Sequence, residues 1–155
     1  TAIGFEAPLS GDNQIQLGNS ATTVYVYGSV QSRSDARDKI DIKDTDLGLD
    51  FLKLLRPVDY RFDYRDSYIH TDCDGNIISS KKDGSRAGTR YHHGLIAQEV
   101  EAVLEKHNID FGGYQDHSIS GGGDVKSIGY QEFISIIIKA IQELDKKIEG
   151  MSESD

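Results

Sequence analysis

The last apolar helix of this chain carries Ile134, Ile137, Ile141, Leu144, Ile148 and Met151 at alternating spacings of three and four. That is a heptad seam with no charge at any a or d position, and a lone helix has nothing to bury it against. Isoleucine fills the a positions Ile134, Ile141 and Ile148, and the d positions hold Ile137, Leu144 and Met151. Isoleucine at both kinds of position favours three strands or more over two. The competing reading is an amphipathic helix packed on its own domain, because the seam covers under three full heptads. The chain N-terminal to the helix tips the choice toward a trimer.

Composition narrows the function classes. The 155 residues suffice for one domain with a small appendage, and 37% hydrophobic content allows a core without making it generous. Sixteen glycines against two prolines point to many turns. A net charge of -9 argues against nucleic acid, since phosphate binding needs a basic surface, and equally against an anionic membrane. The one cysteine, Cys73, excludes an intrachain disulfide and offers no metal-site spacing. No stretch is long enough to span a bilayer, and the first residues lack the basic-then-apolar order of a signal peptide.

Residues 1–33 differ in character from the rest of the chain. Ile15-Gln16-Leu17-Gly18-Asn19-Ser20 and Thr22-Thr23-Val24-Tyr25-Val26-Tyr27-Gly28 are short alternating runs closed by Gly and Asn, almost free of charge. They suit a fibrous β-structure, which needs neighbours to cover its faces. The composition then shifts abruptly: Ser34-Asp35-Ala36-Arg37-Asp38-Lys39-Ile40-Asp41-Ile42-Lys43-Asp44 is nearly all charged and reads as a linker or solvated segment.

Beyond it the spacing predicts a small α+β domain. A helix capped by Asp46 places Leu47, Phe51, Leu54 and Leu55 on one face until Pro57 stops it. Residues 58–64 alternate as a strand, and residues 72–89 form a hairpin or long loop. A second helix turns Ile96, Val100, Val103 and Leu104 inward. Residues 125–128 make a short strand, Gly112, Gly113, Gly121, Gly122 and Gly123 mark loops, and the heptad helix covers about 130–151. The expected core is Phe51, Leu55, Val58, Tyr60, Phe62, Leu95, Ile96, Val100 and Leu104, all within 47–104.

Ser34 and Lys39 are the residues most suited to chemistry. A serine becomes a nucleophile when a base takes its proton, and a lysine serves once desolvation or nearby cations favour its neutral form. Residues five apart point about 140° away from each other on a helix and to opposite faces of a strand. A working pair therefore requires a bend between them or a partner chain. Asp35, Asp38 and Asp41 would hold Lys39 protonated unless Arg37 or burial offsets them. Taken bare, a Ser and a Lys at this spacing are commonplace.

Their order among other motifs adds meaning. Ser34-Asp35-x-Arg37-x-Lys39 precedes Leu55-Arg56-Pro57-Val58-Asp59-Tyr60, then Gly94-Leu95-Ile96-Ala97-Gln98-Glu99-Val100, then the heptad helix. This order resembles the self-cleaving intramolecular chaperone domain at the C-terminus of phage tail spikes, tail fibres and neck appendages, including endosialidases, over about residues 34–150. The resemblance implies a homotrimer that helps a triple-stranded β-fibre of its own polypeptide to fold in register, then cuts itself off. It implies a catalytic dyad of Ser34 and Lys39, with cleavage at Arg33-Ser34, and lets Gln98 or Glu99 steady the dyad. Residues 1–33 would be the end of the mature fibre and residues 34–155 the chaperone. Assembly would take place in the host cytoplasm, and the fibre part would remain in the virion tail or neck. No cofactor, nucleic acid or membrane insertion is implied.

The remaining motifs favour ordinary roles. Asp72-Cys73-Asp74-Gly75-Asn76 echoes a calcium loop, but the glycine sits at the fourth position and no glutamate follows at the twelfth, so a capped turn is expected. His70, His92, His93, His107 and His117 supply no i,i+4 pair, and no metal is expected. Gln98 and Glu99 open a helix, where Glu is favoured by the dipole. Gly121-Gly122-Gly123 lacks the strand and the Lys-Ser/Thr of a phosphate loop. A second functional class stays open: a non-catalytic trimerisation or receptor-binding tip of a fibre, with Ser34 and Lys39 as solvated residues. The scissile bond is open too, since the serine of one chain could attack a neighbour.

Overall fold

The computed structural model describes residues 1–7, 9, 11–19, 21–120 and 123–152; Ser20, Gly121 and Gly122, which the turn and loop readings include, lie outside them. It is a small mixed α/β domain with a long C-terminal helix, preceded by an N-terminal segment whose first residues fold back on themselves. Strand β1 (Ala2–Ile3) pairs in parallel with β2 (Gln16–Leu17). The run from Thr22 to Gly28 forms no strand, contrary to its alternation: Tyr25 is 89% exposed, and among the described residues no ladder offers it a partner. An isolated strand leaves its backbone groups and both faces in water.

Helix α1 (Leu49–Leu54) is shorter than its pattern predicts, and Gly48 rather than Asp46 is its N-cap residue. It ends before Pro57, whose ring disfavours helix in the residue preceding it. Strand β3 (Val58–Tyr60) begins at once, but it stops at Tyr60 rather than running to Tyr64. A hairpin comes next, β4 (Ile69–Thr71) with β5 (Ile77–Ser79). Strand β6 (His92–Gly94) pairs antiparallel with β3, setting Val58 opposite Gly94 and Tyr60 opposite His92. Two of the sequence motifs are thus one ladder. Gly94 is required there: a Cβ would lie 2.2 Å from the Tyr130 hydroxyl, which accepts the Leu95 N–H at 2.9 Å.

Helix α2 (Ala97–His107) ends at Asn108, whose left-handed backbone (φ +51°) closes the helix. Strands β7 (Tyr114–Asp116) and β8 (Lys126–Ile128) form a second hairpin. It is tied to α2 by a half-buried cluster: Lys126 Nζ lies 2.5 Å and 2.6 Å from the two Glu101 oxygens, and the Tyr114 hydroxyl donates to Glu101 at 2.5 Å. Lys126 foremost, then Tyr114, holds the Glu101 carboxyl below its ordinary range.

A 3-10 turn (Tyr130–Glu132) leads into α3 (Phe133–Ser152), which carries two apolar faces. Phe133, Ile136 and Ala140 face inward and are buried with Phe51, Val100, Leu104 and Phe111. Phe111 bridges helices, its ring 5.5 Å from Phe51 and 4.7 Å from Phe133, both edge-on. The seam residues point the other way and are exposed in the single chain, from Leu144 at 43% to Met151 at 74%, with Ile138 at 53% widening the same side. One face of α3 packs on its own domain, and the heptad face is left uncovered.

The core therefore extends past the expected 47–104. Phe51, Val100 and Leu104 are buried as expected, and Leu55, Val58, Tyr60, Leu95 and Ile96 are half-buried. Phe62 is exposed: with the strand ending at Tyr60, its ring joins a surface stack with Tyr64 and His92 instead. Among the described residues no helix is long and apolar enough to cross a membrane.

One long-range contact locks α3 to the core. Glu143 Oε2 accepts the Leu49 N–H at 2.9 Å, so the first turn of α1 is capped from 94 residues away. Gly48 makes room, since a Cβ there would lie 2.6 Å from both Glu143 oxygens. Gly48→Ala should displace this cap and cost about 1–2 kcal/mol. Denaturant midpoints would register it, and a parent-like midpoint would show that Glu143 does not cap α1 in solution.

Candidate active site

The charged stretch after Arg33 folds as a compact loop. A 3-10 turn (Ala36–Asp38) is capped by Asp35, whose Oδ1 accepts the Arg37 N–H at 2.9 Å. Asp35 and Lys39 on either side are extended, with ψ of 133° and 149°. Extended, turned, extended is the bend that a pair five residues apart requires. The turn brings Lys39 Nζ to 2.8 Å from Ser34 Oγ. As an ammonium Lys39 donates to the hydroxyl; as a neutral amine at the same distance it would accept the hydroxyl proton, which is the arrangement of a nucleophile with its base.

The neighbouring carboxylates are already engaged. Arg37 binds Asp35 with Nε at 3.1 Å and Nη2 at 2.6 Å, and this bond holds the Asp35 carboxyl below its ordinary range. Arg33 Nε lies 2.9 Å from Asp38 Oδ2. From sequence, Asp38 counts only as a burden on Lys39, and nothing pairs it with Arg33. The loop is also fastened to the root of α3, where Ser32 Oγ lies 3.1 Å from Gln131 Oε1. Gln131 carries no signal in the sequence, being 99 residues from Ser32.

Ser34 and Lys39 are both exposed in the single chain. Desolvation, one of the ways a lysine is made into a base, is therefore not supplied by this chain's own packing. Gln98 is exposed, and Glu99 pairs with Arg56 through Arg56 Nε at 3.1 Å and a second contact from Nη2. Neither is hydrogen-bonded to the dyad. The pairing of Arg56 with Glu99 joins the Leu-Arg-Pro motif to the Gln-Glu motif beside the β3–β6 ladder.

The other candidates fall into ordinary roles. Asp72 folds a turn between β4 and β5, accepting the Asn76 N–H at 2.7 Å and the Asp74 N–H at 3.0 Å, with Gly75 at φ +84°. His92 lies among the rings of Tyr60 and Phe62, and His93 Nδ1 is 2.5 Å from Asp59. His117 bridges Gln14 and Ser127, at 3.2 Å and 2.9 Å. His70 lies in β4 and His107 closes α2. Among the described residues no three potential ligands converge on a metal position, and Cys73 is exposed.

Comparison with known proteins bears on the same stretch. No curated protein matches the chain. The model of the family described as the chaperone of endosialidase matches residues 34–109, starting at Ser34 and taking in the loop, α1, the β3–β6 ladder and α2. Over residues 34–109 the chain is therefore similar to the endosialidase chaperone family, which supports the resemblance carried by its motifs.

Proposed function

We propose that residues 34–155 form a homotrimeric intramolecular chaperone for the fibre of which residues 1–33 are the end, and that Ser34 and Lys39 release it by cutting Arg33-Ser34. The observation that carries the reading is the 2.8 Å contact between Lys39 Nζ and Ser34 Oγ at the first residues of the family match. The exposed seam of α3 supports the trimer: three such faces would cover one another, at about 1 kcal/mol or more for each residue buried in each chain. Long interchain β-pairing is slow and exposed to aggregation, so a trimeric cap that gathers the strands helps most before they pair. The exposed apolar residues of 1–33 are what such pairing would bury. Assembly belongs to the host cytoplasm in this reading, and the fibre part stays in the virion tail or neck.

The chemistry is an N-to-O acyl shift and then hydrolysis. Lys39 takes the Ser34 hydroxyl proton as Oγ attacks the Arg33 carbonyl carbon. The Arg33–Ser34 C–N bond breaks, and the proton passes to the Ser34 nitrogen, leaving an ester between Arg33 and Ser34 Oγ. Water then hydrolyses the ester to an Arg33 carboxylate and a free Ser34 hydroxyl. Neighbours in the trimer would exclude water from the exposed pair, which makes assembly the condition for cutting.

The test is the mass of the chain on a denaturing gel after expression, with N-terminal sequencing of the larger fragment. Fragments matching 1–33 and 34–155, the second starting at Ser34, are expected. A single uncut band would leave a structural tip of a fibre as the better account.

A further inference from the structure

The two sides of the Arg33-Ser34 bond are held differently. On the amine side the 3-10 turn capped by Asp35 fixes Ser34, whose Oγ lies 2.8 Å from Lys39 Nζ. On the acyl side residues 22–33 form neither helix nor strand. Arg33 reaches back to Asp38 within the same loop, but Ser32 is tied outside it, its Oγ 3.1 Å from Gln131 Oε1. Gln131 stands on a well-anchored turn, as the middle residue of Tyr130–Glu132. The Tyr130 hydroxyl accepts the Leu95 N–H at 2.9 Å, and the Gly129 N–H donates to the Gly113 carbonyl at 2.9 Å. Phe133, next in the chain after the turn, is buried in the core and begins α3.

Attack of Ser34 Oγ on the Arg33 carbonyl carbon needs that carbonyl turned toward the hydroxyl. A peptide held on one side only samples many rotations, and fixing the second side removes most of them before reaction. Resting on the autoproteolysis reading, we infer that Gln131 is a positioning residue for the cut. Its amide oxygen takes the Ser32 hydroxyl and holds the acyl side of the scissile bond against the root of α3. Oγ and its base are placed by the loop, and the carbonyl they act on is placed by the helix that carries the heptad seam. A displaced α3 root would therefore move the carbonyl while leaving the dyad itself unchanged.

Ser32 and Gln131 are both exposed in the single chain, so the tie counts as one neutral hydrogen bond, roughly two- to tenfold in rate. The test follows cutting over time during cell-free synthesis of the full chain. Ser32→Val and Gln131→Met, which keep bulk and lose the polar partner, should each cut more slowly by that factor. Ser32→Thr and Gln131→Glu, which keep the hydroxyl and an accepting oxygen, should recover most of the rate. The double variant Ser32→Val with Gln131→Met should be no slower than either single one, because both remove the same bond. A part in folding alone would not follow the oxygen, and Gln131→Met would then cut at least as well as Gln131→Glu. In a Ser34→Ala background Gln131→Met should sediment as a trimer; a monomer would mean that the residue acts through assembly, and would overturn the positioning role. Parent-like cutting by Ser32→Val and Gln131→Met, or additive slowing in the double variant, overturns it too and leaves the dyad in place. A parent chain that is never cut overturns the dyad and the positioning role together.

Discussion

Ile141→Asp is expected to sediment as a folded monomer. Ile141 is 60% exposed in the single chain, while the neighbouring Ala140 is buried against the domain. The substitution therefore leaves the chain's own core untouched. In a trimer the same position is an a layer, where three carboxylates would meet without partners. Burying an unpaired charge costs several kcal/mol per chain, and the layer incurs it in all three chains. Ile137→Asp should behave alike, whereas Ile136→Asp, on the inward face, should unfold the domain. Sedimentation velocity with circular dichroism separates these outcomes. A trimeric Ile141→Asp would show that the seam is not the assembly element.

The seam is legible because apolar spacing is the strongest signal a sequence carries. The other face of α3 is not. Its start reads Phe133-Ile134-Ser135-Ile136-Ile137-Ile138, apolar nearly all round, and period alone cannot say which side meets the domain. That choice is made by Phe51 and Phe111, which arrive from distant parts of the chain to pack with Phe133. The same limit hides Glu143, an ordinary acid in an exposed-looking helix until Gly48 brings the α1 terminus to it. Phe62 errs the other way, its alternation promising a strand where only Val58–Tyr60 finds a partner in β6.

At the candidate site the spacing of Ser34 and Lys39 says only that a bend is needed, and the order of motifs names the pair. The 3-10 turn at Ala36–Asp38 supplies that bend. What the spacing cannot give is the assignment of arginines to carboxylates. Arg37 could as well have reached Asp38 as Asp35, and only the fold of the turn decides.

Ser34→Ala is expected to abolish cutting and leave assembly intact. Without Oγ no acyl shift can start, so the chain should run as one full-length band. Lys39→Ala should slow cutting by about a hundredfold to ten-thousandfold, the usual contribution of a positioned base. Neither residue is buried, so each variant should keep its stability within about 0.5 kcal/mol. Sedimentation of both as trimers would separate lost chemistry from lost folding. Cutting should also fail in Ile141→Asp, although its Ser34 and Lys39 are unchanged, because the pair is exposed in the single chain and, in the proposed trimer, neighbouring chains would cover it. Once trimers have formed, the rate should not depend on concentration. Efficient cutting by the monomer would mean that the dyad is complete within one chain, and that proteolysis is not coupled to assembly.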